Sequence, residues 1–356
     1  MKAVVKEKKG YDNISFKEVP VPQINENEVL IKVKAAGICG SDIHIFHDEF
    51  PYWPPVILGH EFSGVIEKTG KNIKRFKIGE RVTSEPQQGV CGVCRFCRLG
   101  LIHLCSSKRS PGWGIDGAMA EYIKLPETLL HKLPENVSFI EGSVIEPAST
   151  VTHAVIERGN IRPQDFVVVM GPGPIGLIAA QVAKAAGAKK VAIAGIDEDI
   201  NHRFKIAEEL KIDLIINVQR QNLNDLILQN TEGYGADLVV ECSGSEKAIN
   251  SAIDILAKNG KLIAVGFSGK ENLAVNWDRT IFKELNMITS MSSTYSSWKY
   301  TIDILKENKL DLSKVVSDVF PLSKYREGFD MAINKKGLKI VLVPDEEFKS
   351  GIYQVK

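Results

Sequence analysis

Four cysteines fall within fifteen residues, as Cys91-Gly-Val-Cys94-Arg-Phe-Cys97 followed by Cys105. The spacing Cys-x2-Cys-x2-Cys-x7-Cys lets one tight loop wrap four thiolates tetrahedrally around Zn²⁺, and with sulfur at every position the site is closed and structural. Two other readings stay open: an iron–sulfur cluster, and a zinc ribbon meeting nucleic acid through Arg95, Arg98, Lys108 and Arg109. A second constellation is scattered along the chain: Cys39 in Gly37-Ile-Cys-Gly-Ser-Asp-Ile-His44, His60 in Gly59-His-Glu61, and Glu146 in Ile145-Glu-Pro147. Alone, a cysteine is usually a small buried residue and a histidine a satisfied core residue. Together they supply the mixed sulfur, imidazole and carboxylate set of a catalytic zinc, which takes three protein ligands and keeps one exchangeable position for water or substrate.

A third chemistry lies in Phe166-Val-Val-Val-Met-Gly171-Pro-Gly173-Pro174-Ile175-Gly176, a glycine triplet after an apolar strand and at the mouth of a helix. Gly171 permits the tight turn, Gly173 lets backbone amides approach a pyrophosphate, and Gly176 lets the helix pack on the strand, with the helix N-terminus favouring the anion. The next strand is expected to end at Gly195, and Asp197 follows 21 residues after Gly176, near the spacing of about 20 for an acid that holds the adenosine ribose. The acid arrives two residues late. A glycine at the strand end leaves room for a 2′-phosphate, and Arg203 is a candidate to stack on adenine or pair with that phosphate, so the expected cofactor is NAD or NADP.

The elements that must hold these residues differ between the two parts of the chain. Up to about residue 150, short strands are expected at Ala3–Val5, Val29–Ala36, Gly64–Lys68, Arg81–Thr83 and Ala120–Leu125, with no periodic helix. From about Gln164 strands and helices alternate: strands at Phe166–Met170, Lys190–Gly195, Leu214–Asn217, Asp237–Glu241, Lys261–Val265 and Met287–Ser290, with amphipathic stretches between them. Six strands alternating with helices predict an α/β, doubly wound parallel sheet. Two further helices, over Trp298–Glu307 and Ser323–Asn334, precede a closing strand, Lys339–Val343, that returns to the first domain.

With 356 residues the chain is long enough for two domains. Its 45 Lys+Arg against 44 Asp+Glu give no whole-molecule field for nucleic acid or an anionic membrane, so neither partner is expected. The uncharged run Phe166–Ala183 is broken by glycine and proline and does not read as a membrane span. The opening residues show no apolar signal run, and clustered cysteines suit a reducing compartment, so a cytoplasmic protein is expected.

The motifs together resemble the zinc-containing medium-chain dehydrogenase/reductase family, and within it the polyol (sorbitol or iditol) and threonine dehydrogenase branch. The resemblance spans essentially the whole chain, on Gly-Ile-Cys39-Gly-Ser41-Asp42-Ile-His44, Gly59-His60-Glu61-Phe-Ser-Gly64, the four-cysteine lobe, Asp116-Gly117-Ala-Met-Ala-Glu121-Tyr122, Glu146-Pro147 and the glycine triplet. It implies a GroES-like, β-rich catalytic domain over residues 1–152 and 292–356, with the lobe at about 88–110, and a Rossmann domain over 153–291. It also implies that Cys39, His60 and Glu146 ligate the catalytic zinc, Glu146 directly or through water, and that Glu61 supports the site or exchanges onto the metal. Cys91, Cys94, Cys97 and Cys105 would hold the structural zinc. Ser41 and His44 would relay the substrate proton, and Val265, Gly266 and Phe267 would flank the nicotinamide.

The implied reaction moves a hydride between a secondary alcohol (a polyol, diol or amino alcohol such as L-threonine) and NAD(P), with zinc as Lewis acid and a dimer or tetramer as the working form. Two departures stand out: Ser293-Thr294 where sorbitol enzymes carry Arg-Tyr, and Ile45 in place of a tyrosine after the relay histidine. His103 is expected on the surface and Cys242 as an inert buried thiol. The rival reading is a noncatalytic, zinc-stabilised nucleotide-binding protein.

Overall fold

The computed structural model describes residues 1–349. In chain order the strands are β1 (Lys2–Lys6), β2 (Ile14–Glu18), β3 (Glu28–Gly37), β4 (Val56–Ile57), β5 (Glu61–Thr69), β6 (Arg81–Ser84), β7 (Tyr122–Pro126), β8 (Leu130–Lys132), β9 (Phe166–Met170), β10 (Lys190–Gly195), β11 (Leu214–Asn217), β12 (Ala236–Glu241), β13 (Leu256–Ala264), β14 (Asn286–Thr289), β15 (Val316–Pro321) and β16 (Lys339–Val343). They fall into two compact units, Met1–Pro147 with the residues from Val316 onward, and Ala148–Val315.

The first unit holds a seven-stranded sheet, ordered β15-β16-β3-β5-β6-β8 with β7 also on β3, and a three-stranded sheet, β2-β1-β4. β3 and β5 carry the centre of the larger sheet; their apolar residues, Val29, Ile31, Val33, Phe62 and Ile66 among them, join Leu58, Met119, Ile123 and Leu130 in one buried cluster. Burying each such side chain contributes about 1.5–3 kcal/mol. Antiparallel pairing sets Gly37 opposite Glu61 and Val341 opposite Gly37. The end of β3 thereby lies between the start of β5 and the middle of β16 where the chain runs out toward Cys39.

The second unit is a six-stranded parallel sheet ordered β11-β10-β9-β12-β13-β14, with the strand order reversing between β9 and β12. That reversal is the topological switch point at which doubly wound sheets bind ligands. All five residues of β9 are buried, as suits a central strand covered on both faces.

Three expectations need correction. The boundaries 152/153 and 291/292 lie instead at 147/148 and 315/316. Residues 292–315 stay with the parallel sheet because the helix Tyr295–Lys306 buries Trp298, Thr301, Ile302 and Leu305, Thr301 Oγ1 donates to Thr152 Oγ1 at 2.8 Å, and the Asp311 amide donates to Gln181 Oε1 at 2.7 Å. The last seven residues of the expected catalytic segment lie outside the described ones. Second, the first unit contains the helix Gly40–Phe46, too short for apolar periodicity to show in sequence. Third, His103 is buried on the turn Ile102–Leu104, not on the surface.

Candidate active site and metal centres

Cys39, two residues past β3, stands at the N-cap of the helix Gly40–Phe46, where its amide donates to Asp42 Oδ2 at 2.9 Å. His60 and Glu61 lie where Gly59, at φ +90°, turns the chain into β5. That turn leaves no room for a side chain: a Cβ on Gly59 would sit 2.7 Å from Met119 Cγ. As a result the ligand atoms of Cys39, His60 and Glu61 lie within 4.8 Å of one another, His60 and Glu61 being buried. Glu146, also buried, is on the helix Ile145–Thr152 and falls outside that set, although its charge acts on His60.

The donor set fits a metal. His60 Nδ1, Asp42 Oδ1 and Ser41 Oγ are buried with no hydrogen-bond partner, an arrangement that costs free energy unless an ion or ligand completes it. Burial alone would lower the His60 pKa, but the Cys39 sulfur, Asp42 and Glu146 outweigh it and hold the ring at about 10. The surroundings therefore favour positive charge at this point.

Sequence reasoning missed Lys339, the first residue of β16. Its Nζ is buried and donates to Glu61 Oε1 at 2.8 Å, Glu61 Oε2 at 2.6 Å and the Ile38 carbonyl at 3.1 Å. Burial would lower its pKa, yet the Glu61 carboxylate and the Cys39 sulfur raise it, so the lysine stays charged. A lysine opening an otherwise wholly apolar strand, Lys339-Ile-Val-Leu-Val343, was the available signal. Asp42, fully buried, was missed as well. Of the expected relay, Ser41 and His44 stand three residues apart on one short helix; Ser41 Oγ is buried, and half-exposed His44 places Nδ1 3.2 Å from Glu49 Oε2.

The four lobe cysteines converge within 4.8 Å, and none is in a disulfide. The Cys91 and Cys105 sulfurs are 3.7 Å apart, far beyond a bonded S–S distance of about 2.05 Å. Backbone amides point at sulfur, Cys91 N to Cys105 Sγ at 3.4 Å and Cys94 N to Cys91 Sγ at 3.3 Å, as metal-bound thiolates favour. The Cys91 amide, chiefly, brings the Cys105 thiol down to about 6. His103 is outside this set.

In the second unit Gly171 takes φ +98°, and a Cβ on Gly176 would lie 1.9 Å from the Gly171 carbonyl. A Cβ on Gly173 would meet nothing within 4 Å, so the loop has open space of the kind a pyrophosphate needs; Pro174 and Ile175 begin the helix behind it. The room expected beside Gly195 is absent. A Cβ there would meet Asp199 Oδ2 at 2.6 Å, Phe204 at 2.8 Å and Pro172 at 2.8 Å. Arg203 does not stand free for a phosphate, because its Nη1 donates to Asp199 Oδ1 at 2.9 Å. Asp197 Oδ1 accepts from Arg220 Nε at 2.6 Å and Asn217 Nδ2 at 2.7 Å, interactions that lower its pKa.

At the end of β12 the buried Glu241 carboxylate accepts from the amides of Ser243 and Gly244, while its carbonyl accepts from Val265 and Gly266. Glu241, unflagged by sequence, thus fixes the Val265–Gly266 turn; Phe267 is exposed. The Cys242 thiol is pushed up by burial, in keeping with an inert residue. Ser293 and Thr294 are turned to structure: Ser293 Oγ accepts from Trp298 Nε1 at 3.0 Å, and Thr294 caps its helix and donates to Glu157 at 2.7 Å.

Comparison with known proteins agrees with this geometry. Residues 25–135 match the model of the alcohol dehydrogenase GroES-like domain and residues 174–307 that of the zinc-binding dehydrogenase domain. The chain is 38% identical to a sorbitol dehydrogenase of Halalkalibacterium halodurans, over 97% of this chain and 99% of that one. It is 34% identical to a D-arabitol-phosphate dehydrogenase of Enterococcus avium, over 98% of each. Among solved structures, a zinc-binding dehydrogenase of Sinorhizobium meliloti bound to NADP superposes with a TM-score of 0.88 at 27% identity, over 96% of this chain and 99% of that one. The GroES-like and zinc-binding dehydrogenase domain matches, with two residue clusters able to hold a metal ion and a glycine loop, place the chain in the zinc-containing medium-chain dehydrogenase family, as a zinc- and NAD(P)-dependent alcohol oxidoreductase.

Proposed function

We propose that Cys39 and His60 hold the catalytic zinc with Glu146 as the third protein group, directly or through water, and that the four lobe cysteines hold the structural zinc. The observation that carries this reading is the meeting of Cys39, His60 and Glu61 within 4.8 Å beside a buried, unpartnered Ser41 hydroxyl. Glu61 has both oxygens on Lys339, which is why the third position goes to Glu146. Zinc held there would supply Lewis acidity toward a substrate hydroxyl or carbonyl, and a nicotinamide bound at the glycine loop would supply the hydride acceptor or donor. Ser41 Oγ would accept the carbinol proton as its own hydroxyl proton is handed on, and His44, half-exposed and with Glu49 on Nδ1, would take up that proton and release one to solvent.

The substrate class is a secondary alcohol: a polyol, diol or amino alcohol. Sorbitol is not favoured, since Ser293 and Thr294 are spent on Trp298 and Glu157. NAD is favoured over NADP. Asp199 fills the space at Gly195, and an ionised Asp197, oriented through Oδ1, stands where a 2′-phosphate would bring two more negative charges.

The chain works as a homo-oligomer in the cytoplasm. Its unpaired sheet edge, β14, and the preceding helix expose Trp277, Ile281, Phe282 and Met287, an apolar face suited to a second copy, and its six thiols are free, as a reducing compartment keeps them.

The test is a panel of polyols, 2,3-diols, secondary alcohols and L-threonine, each with NAD and NADP. Zinc-dependent reduction of NAD by at least one class supports the reading; turnover that survives removal of both zinc ions would defeat it.

A further inference from the structure

Two cations of the loop that follows the lobe, Lys108 and Arg109, have no part in the metal or cofactor assignments. Among the described residues, no carboxylate lies within salt-bridge distance of either. Arg109 is nonetheless held in place. A Cβ on Gly89 would fall 2.6 Å from Arg109 Cβ, and one on Gly114 would fall 2.7 Å from its Cα, Cβ and Cδ, so the chain closes around this residue only because both neighbours are glycine. Its guanidinium lies over the Trp53 ring, 3.8 Å from the centroid, and Nη1 donates to the Lys108 carbonyl at 3.1 Å. Trp53, 44% exposed, stands 5.9 Å from Trp113, which meets Phe50 edge-on at 5.6 Å.

This aromatic shelf is tied to the metal ligands. Trp53 lies seven residues before His60, and its amide donates to the Trp113 carbonyl at 2.8 Å. Gly112 and Gly117 press on Gly59, the residue preceding His60: added Cβ atoms would meet Gly59 N at 2.8 Å and Gly59 O at 2.2 Å. Lys108 immediately precedes Arg109, and its amide donates to the Cys105 carbonyl at 3.0 Å. Two adjacent cations thus stand beside the segment that packs on Gly59, and the second is a guanidinium fixed on a half-open aromatic surface. Arg suits this position because its planar fork meets phosphate or carboxylate oxygens in pairs.

We propose that Lys108 and Arg109 form an anion-reading subsite for the end of the substrate remote from the reacting carbinol, so that the preferred substrate is a polyol bearing a phosphate monoester or a carboxylate. The inference rests on the zinc-site reading above and narrows its substrate class.

The test uses the two-zinc protein with sorbitol, sorbitol 6-phosphate and gluconate as probes, together with inorganic phosphate in a calorimetric titration. The expected result is a kcat/KM at least tenfold higher for one charged probe than for sorbitol, with the arms separating phosphate from carboxylate. That ratio should fall at least tenfold in Arg109→Gln and in Lys108→Met, recover in part in Arg109→Lys, and do so with two zinc ions still bound. A wild-type preference for the neutral probe, or equal losses on charged and neutral probes, would overturn the proposal. So would loss of lobe zinc in the variants with an unchanged ratio, because the two cations would then only balance the thiolates. If none of these probes turns over, the wider alcohol panel decides the dehydrogenase reading, whereas the subsite stands or falls separately on whether Arg109→Gln weakens phosphate binding at least tenfold.

Discussion

Lys339 and Glu61 are the residues on which the metal site rests most heavily, and neither is a metal ligand in this account. Both are buried, and Lys339 donates to both oxygens of Glu61. Removing one partner of a buried pair leaves an uncompensated charge, so Lys339→Met is expected to cost about 3–5 kcal/mol. Chemical denaturation measures this, and Glu61→Gln in the same background should recover part of the loss; equal stability of wild type and Lys339→Met would contradict the role. At this scale legibility followed sequence distance. The four lobe thiols were readable because one loop of fifteen residues carries them. Cys39 and His60 were readable as types, but their neighbour Lys339 lies 278 residues from Glu61 and reaches it only because β16 pairs with β3. The misplacement of His103 has the same source: a polar residue between exposed leucines gives no periodic sign of the turn that buries it.

Among the elements, long apolar strands were read well and short helices poorly. β9 and β10 appear with the expected bounds because five consecutive buried residues in each leave a continuous apolar run. The helix Gly40–Phe46 left no such trace: with seven residues, it is set by the Cys39 amide meeting Asp42 rather than by an apolar face, yet it carries Ser41 and His44. The glycine loop makes a sharper prediction. Gly176→Ala puts a methyl group 1.9 Å from the Gly171 carbonyl, which must shift the turn from which backbone amides would meet the pyrophosphate. NADH binding, followed by nicotinamide fluorescence, should weaken more than tenfold. Gly173→Ala, whose Cβ meets nothing within 4 Å, should leave the unliganded fold as stable as wild type. A Gly176→Ala protein with wild-type affinity would show that the turn tolerates displacement.

For the molecule as a whole, the sequence indicated two units and the return of the last strand, but not where the chain crosses. The helix Tyr295–Lys306 looks like any amphipathic helix in sequence; only Trp298, Thr301 and Gln181 assign it to the parallel-sheet unit. The exposed β14 edge predicts self-association, and replacing Ile281 and Phe282 with aspartate should lower the mass seen by analytical ultracentrifugation toward the 39.3 kDa chain. A wild-type chain that sediments as a monomer at micromolar concentration would refute it. The central claim, two zinc ions with separate tasks, is tested most directly by counting zinc per chain alongside turnover in the wild type, Cys39→Ser and Cys91→Ser. The account predicts two ions in the wild type and one in Cys39→Ser, with turnover lost about a thousandfold or more and the fold kept, as removal of several kcal/mol of Lewis-acid stabilisation implies. Cys91→Ser should instead lose the lobe ion and stability. A wild-type chain carrying one zinc, held only by the four cysteines, or a Cys39→Ser chain with full turnover, would contradict it.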